Sequence, residues 1–449
     1  MKSKRRGGKA GPLRVMYPDA AGIDVGSREH FVCVPDDRDE QSVRRFGACT
    51  ADLHALAQWL ARCKIKQVAM EATGVYWIPL FEVLDRAGFE VILVNGAQTA
   101  NARARKSDVL DCQWIQQLMS YGLLRGSFRP ADAFCAMRAM VRQRATLIRD
   151  AQREVQHMDK ALVQMNVQLG RMLSDLSGKS GLSIIRAIVG GERNPERLAA
   201  LRDRRVRASV DDVAKSLLGN WRDEHLLALK QSLARFDLTQ SQIDECDRHI
   251  CAAANALRTS TAPPPDPRSK PRKTKRHTAQ EQAQLRELMY QVMGVDLTAI
   301  PTVDVDTAMV IMSEVGTDWS CFPTCEHFCS WASVAPGTRI SGGKRLSHAA
   351  NPAKNRVGEA LKRCAVNARN SPTIIGAAHR GRMTRLPKAC AVKATAHQLA
   401  RLIYAMVTRG QAYVEQGMDV FEERQRDKQM RQLRRRAAQF GFDVVLKAA

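Results

Sequence analysis

The six residues Ala21-Gly22-Ile23-Asp24-Val25-Gly26 set the strongest constraint on how this chain folds. Read as a strand, they place Ala21, Ile23 and Val25 on one face and Gly22, Asp24 and Gly26 on the other. The apolar run resumes at His30-Phe31-Val32-Cys33-Val34, so Gly26-Ser27-Arg28-Glu29 reads as a hairpin turn between two strands. Asp24 is then a lone carboxylate on a largely buried strand. Such burial is costly unless the group is paired or metal-bound, and a metal is the expected partner.

The pattern continues with a third strand near 42–48 and an amphipathic helix over 51–62, with Leu53, Leu56, Ala57 and Leu60 on one stripe. A strand at 67–71, a helix over 77–87 stopped by Gly88, and a strand at 89–94 follow. Three strands and then alternating helices and strands predict a mixed sheet with helices packed on it. Ser107 is positioned to cap a helix starting at Asp108, which puts Asp108 and Asp111 on one face of its first turn. From 136 to 257 the signal is long, charged and helical, with helices predicted over 137–168 and 224–256 and an interruption over 178–195. Such lengths predict antiparallel helical hairpins or a coiled-coil arm. After a proline-rich basic stretch, helices are predicted over 285–293, 306–315, 354–368 and 389–410, around a glycine-rich basic segment at 333–347. The chain therefore reads as α/β plus α. Its expected parts are a flexible basic arm (1–18), an α/β domain (19–135), a helical arm (136–258), a basic linker (259–279), a mainly helical domain (280–420) and a basic tail (421–449).

The chain carries 70 Lys and Arg against 46 Asp and Glu, a formal charge of +24, which points to a polyanionic partner such as nucleic acid. Its twelve cysteines include no C-x-x-C pair and no apolar leader follows the basic start, so a reducing, cytoplasmic setting is expected. No apolar run approaches the roughly 18 residues of a membrane span. Cys321, Cys325 and Cys329, with His327 between them, would share a helix face but lack the closer spacing and fourth ligand of a zinc site.

Two groups of residues carry candidate chemistry. Asp24, Glu71, Asp108 and Asp111 form the first. Carboxylates 4 Å apart repel by roughly 4 kcal/mol at an effective dielectric of 20, which a divalent cation relieves, and oxygen-only donors select Mg²⁺ or Mn²⁺. Singly, each also reads as an ordinary strand-end or helix-start acid. The second group is Thr338-Arg339-Ile340-Ser341-Gly342-Gly343-Lys344-Arg345, where Ser341 is a hydroxyl nucleophile if activated and Arg339, Lys344 and Arg345 can neutralise a phosphate. Ser347 is the competing hydroxyl, and Arg103, Arg105 and Lys106 make a further basic cluster. Ser177-Gly178-Lys179-Ser180 ends like a phosphate-binding loop, but Leu173 stands where its first glycine is required and no strand precedes it.

Together, Gly22-Ile23-Asp24-Val25-Gly26, Met70-Glu71-Ala72-Thr73-Gly74, Lys106-Ser107-Asp108-Val109-Leu110-Asp111 and Pro336-Gly337-Thr338-Arg339-Ile340-Ser341-Gly342-Gly343-Lys344 resemble the DEDD transposases of bacterial insertion sequences. These are recombinases guided by a structured bridge RNA and related to Piv-type DNA invertases. The resemblance implies a RuvC-like, ribonuclease H-like N-terminal domain, a helical arm used in assembly and a helical C-terminal transposase domain. On matching positions it implies that Asp24, Glu71, Asp108 and Asp111 hold metal and that Ser341 forms a transient phosphoserine link to DNA. It further implies donor and target DNA and a non-coding RNA as partners. The active form would be a homo-oligomer, a tetramer built as a dimer of dimers, with the acids of one protomer meeting the serine of another. One departure is Pro301-Thr302-Val303-Asp304, where a phosphate-binding hairpin would offer glycines, so packing is expected there. Readings still open are a metal-dependent nuclease or junction resolvase using the acids alone, a Piv-like invertase, an actin-like ATPase suggested by Asp24-Val25-Gly26, and an inactive nucleic-acid scaffold.

Overall fold

The computed structural model describes residues 14–99, 107–266, 277–337, 339–342, 344–347 and 355–443. The chain divides into two compact units, Met1–Arg129 and Pro130–Ala449. In the first, β1 (Ala20–Val25), β2 (Glu29–Cys33) and β3 (Val43–Gly47) precede α1 (Thr50–Arg62), β4 (Gln67–Glu71), α2 (Trp77–Arg86), β5 (Glu90–Val94), α3 (Gly96–Thr99) and α4 (Asp108–Ser120). The five strands form one sheet in the order β3-β2-β1-β4-β5. The Gly26 turn is short, so β1 and β2 pair antiparallel, as do β2 and β3, whereas the helical crossovers make β1, β4 and β5 parallel. This is the ribonuclease H-like arrangement.

Alternation along the strands decides the two faces. Ala21, Ile23 and Val25 join Val68 and Met70 in a core shared with Leu53, Leu56 and Leu60 of α1 and Leu80 and Leu84 of α2. Ala20 and Ala69 point the other way, against Ile115 and Met119 of α4. Small residues on that second face let the helix lie close.

The second unit is helical. It comprises α5 (Asp132–Gln164), α6 (Leu169–Met172), α7 (Lys179–Val189), α8 (Pro195–Ala200), α9 (Val210–Ser216), α10 (Asp223–Ala256), α11 (Ala279–Met293), α12 (Val305–Val315) and α13 (Cys325–Trp331). A short antiparallel pair, β6 (Arg339–Ser341) and β7 (Lys344–Ser347), then leads to α14 (Arg356–Asn367), α15 (Ile374–Met383), α16 (Lys388–Arg409) and α17 (Gln411–Gln439). Arg144 pairs with Asp247 and Glu154 with Arg235, so α5 and α10 run antiparallel. At one end of that pair Met158 and Leu162 meet Ile184, Ile188, Leu198 and Val213 of the short helices. At the other, Glu314 of α12 is buried among arginines: Arg142 donates two hydrogen bonds at 2.8 and 2.6 Å, and Arg138 lies 3.5 Å away. Arg144, itself buried, also reaches Asp306 at 3.0 Å.

The structure corrects several expectations. The stretch 178–195 is not an interruption but holds α7, with Gly178 as its N-cap and Pro195 as the first residue of α8. Cys321 precedes α13, so it does not share a helix face with Cys325 and Cys329. The expected boundaries at 135/136 and 420/421 fall inside α5 and α17. In the segment 301–304, Val303 is buried and Asp304 caps α12 by accepting a 2.8 Å hydrogen bond from the Thr307 N–H, a packing role. All twelve cysteines are free.

Removing the Glu314 carboxylate takes away the acceptor of both Arg142 hydrogen bonds. Glu314→Ala should destabilise the second unit by about 3 kcal/mol, read from denaturant unfolding, and Glu314→Asp should recover part of it.

Candidate functional site

Asp24 sits near the end of β1 on the face that α4 covers. Gly22, two residues earlier on that face, makes the approach possible: a Cβ there would fall 2.2 Å from the Gln116 nitrogen and 2.5 Å from the Cys112 oxygen. Any side chain would push the helix away. Cys33, opposite Gly22 in the β1–β2 register, is buried and its thiol donates to the Val34 carbonyl at 3.5 Å, while the buried Cys112 thiol of the same helix donates to the Val109 carbonyl at 3.1 Å.

The helix begins beside Asp24. Its N-cap is Ser107, whose hydroxyl accepts from the Leu110 N–H at 3.3 Å, and its first turn carries Asp108 and Asp111. Glu71 ends β4, and continuing the parallel register from Ile23–Met70 by one step sets it beside Asp24. Its carboxylate accepts hydrogen bonds from Thr99 at 2.8 Å and Thr73 at 3.1 Å. Gly96 helps here as well, since a Cβ at that position would lie 2.7 Å from a Glu71 carboxylate oxygen. The sequence reading did not find Thr99, Thr73, Gly96 or the role of Gly22.

Electrostatics tie the four acids together. Asp24 is only partly buried, yet burial is the main cause that lifts its pKa to about 6. The charges of Asp108, Asp111 and Glu71 add to the rise, opposed by a backbone hydrogen bond from Val25. Among the described residues none of the four makes an ion pair. The result is negative charge with no described cation paired against it.

Other expected site residues fare differently. Ser341 ends β6 and Lys344 begins β7, paired across a turn in which Gly342 takes a φ of +55°. The side chains of Arg339, Ser341, Lys344, Arg345 and Ser347 lie outside the described set, as do residues Arg103, Arg105 and Lys106 entirely. Cys325 and Cys329 approach to 3.9 Å, sulfur to sulfur. Gly178 follows a turn rather than a strand, which removes the phosphate-loop reading.

Residues 21–167 match the family model described as a DEDD transposase, DEDD_Tnp_IS110, and residues 295–377 match that of the IS116/IS110/IS902 transposase family. The two matches together span just over half of the chain. The chain belongs to the IS110 family of transposases. No curated protein matches it. As an IS110-family transposase it is a DNA recombinase whose first unit is RuvC-like, and it acts on DNA. No helix among the described residues is long and apolar enough to cross a membrane.

The DEDD domain of an IS110-family transposase implies a divalent metal ion. The oxygen-only donors and unbalanced charge around Asp24 suit a hard cation. Among the described residues, however, no group of three or more His, Cys, Asp or Glu is gathered so as to hold one. The charges of Glu71, Asp108 and Asp111 nonetheless act on Asp24.

The raised Asp24 pKa makes a stability prediction. The folded state holds that proton to about pH 6, whereas an unfolded Asp releases it near its ordinary value of 3.8. The stabilising contribution is thus full below the unfolded value and is lost as pH rises through 6. In a metal chelator, Asp24→Asn should raise the melting temperature of this transposase by a few degrees at pH 8. The gain should vanish by pH 4, as followed by circular dichroism.

Proposed function

We propose that this transposase moves an insertion sequence by cutting and rejoining DNA through a phosphoserine link on Ser341. Asp24, Glu71, Asp108 and Asp111 would hold the divalent ion, Mg²⁺ or Mn²⁺. What supports the reading is that the charges of Glu71, Asp108 and Asp111 act on Asp24 while no described cation forms an ion pair with any of the four, in a chain that otherwise has basic residues to spare. When bound, the ion supplies charge stabilisation to the phosphodiester and to the attacking and leaving oxygens.

In this reading Ser341 loses its hydroxyl proton and attacks the phosphorus. The bond to the 3′-oxygen breaks, and that oxygen takes up a proton. The phosphodiester energy is kept in the serine ester, so water is excluded as acceptor. An incoming 3′-hydroxyl then attacks the same phosphorus, a new DNA linkage forms and Ser341 regains its proton. Arg103, Arg105, Lys106, Arg339, Lys344 and Arg345 hold phosphates, a role that fixes position without reading bases. Sequence is read by pairing with a structured bridge RNA. The working form is a homo-oligomer, a tetramer in which the acids of one protomer serve the serine of another.

The rival is a hydrolytic nuclease or junction resolvase, since the acids around Asp24 are chemically sufficient to cleave with water. The two readings separate on one gel. The protein is incubated with Mg²⁺, labelled donor DNA and the RNA flanking its element, and resolved under denaturing conditions. A protein–DNA adduct should form and fall at least about 100-fold in both Ser341→Ala and Asp24→Ala. Cut ends surviving Ser341→Ala would mean hydrolysis.

Protons compete with the ion for Asp24. Mg²⁺ protection against thermal unfolding should therefore weaken as pH falls through about 6, and Asp24→Asn should abolish most of it at every pH.

A further inference from the structure

A cavity of about 1250 Å³ opens in the second unit. Its walls come from the start of α13, from α15 and α16, and from Tyr413 of α17. Pro336 and Gly337 complete the lining. Ser341 is four residues beyond Gly337, and an extended chain of that length spans at most about 14 Å. The backbone of the proposed nucleophile is therefore tethered to the cavity's edge.

The lining is electrostatically lopsided. Arg382, Lys393, Arg401 and Arg409 face the cavity, with Glu326 the one acid among its lining residues. None of these four cations makes an ion pair with a described residue. Arg382 donates instead to the Thr395 hydroxyl at 2.9 Å and to Gln398, while Arg409 donates to the Tyr413 hydroxyl at 2.8 Å and lies over its ring. Burial lowers the pKa of Lys393 and of His397, and nearby cations lower both further, so this space favours an anion. Leu402, Ala394 and Ala405 add apolar wall between the charges. Tyr404 is fixed by donating a 2.8 Å hydrogen bond to the Phe322 carbonyl.

We infer that this cavity holds the unpaired DNA strand beside the phosphodiester that Ser341 attacks. Cations alone would suit any phosphate ridge. The mixture of unpaired cations with apolar and aromatic wall suits exposed bases as well as backbone, which a duplex does not offer. DNA rather than RNA follows from the tether to Ser341, and in that respect the inference rests on the function proposed above.

The test is fluorescence anisotropy on the full chain with a labelled 12-nucleotide single strand, the same sequence as duplex, and the same sequence as RNA. Lys393→Gln/Arg401→Gln should weaken single-stranded DNA binding about tenfold and flatten its salt dependence, while duplex binding changes less than about twofold. Tyr413→Ala should cost about tenfold without altering the salt slope. Arg401→Lys, which keeps the charge, should recover most of its loss, and Arg248→Gln on the exposed side of α10 should change nothing. Equal losses on single strand and duplex, no loss at all, or a loss confined to RNA would overturn the inference. The binding measurement needs no cleavage. An adduct that depends on Ser341 together with unchanged single-strand binding would therefore overturn this inference alone, whereas the expected binding losses without any adduct would overturn the phosphoserine reading alone.

Discussion

The first unit depends on an atom that is missing. Gly22 has no Cβ, and α4 lies against β1 at a distance no other residue allows, with backbone atoms of Cys112 and Gln116 where that carbon would be. Everything distinctive about the acid cluster follows. The helix N-terminus is brought over the end of β1, its Ser107 cap fixes the first turn, and the charges of Asp108 and Asp111 act on Asp24. Gly96 leaves room beside the Glu71 carboxylate, which accepts from Thr99.

The second unit is held by the opposite means. Its long helices carry buried charges that are paired: Arg144 between Asp247 and Asp306, Glu314 among Arg138 and Arg142, and Asp296 with Arg286. The Arg144 and Glu314 pairs join elements distant in sequence. A buried pair adds little net stability, but breaking one is costly, so these contacts fix the register of α5 against α10 and α12 more than they deepen the fold. Apolar burial at the short-helix end supplies the driving force.

Much of the first unit was legible because strand and helix periods are local. The strand expected at 67–71 is β4, and the Ser107 cap is a short-range hydrogen bond that residue identity alone suggests. Gly22 was visible as an isolated glycine in a strand, a sign of close backbone approach, but its partner lies more than ninety residues later at Gln116, and no local pattern names it. The error at 178–195 has a specific cause: Gly178 and Pro195 were read as breaks, whereas each marks where a helix starts. Helices as short as α13 and α15 give too few turns for a period. The four acids were readable as one set, whereas the hydrogen bonds that Thr73 and Thr99 give Glu71 were not. The basic cavity was invisible because its lining is scattered from Pro323 to Tyr413.

Charge placement across the chain carries the last step. With 70 basic residues against 46 acidic ones, an arginine or lysine is statistically available to almost any carboxylate, and the buried acids of the second unit do take one. Even half-buried acids of the first unit, such as Asp19 and Asp39, find Arg38, Lys66 or Arg44. On Asp24 the charges of three further carboxylates act, and no described cation forms an ion pair with any of the four. Leaving them so raises the pKa of Asp24 and costs stability at neutral pH. A fold that pairs its buried acids and leaves this group open tolerates that cost where a cation from solution can remove it, and the same reasoning run in reverse applies to the cavity of the second unit, four of whose lining cations have no described ion-pair partner.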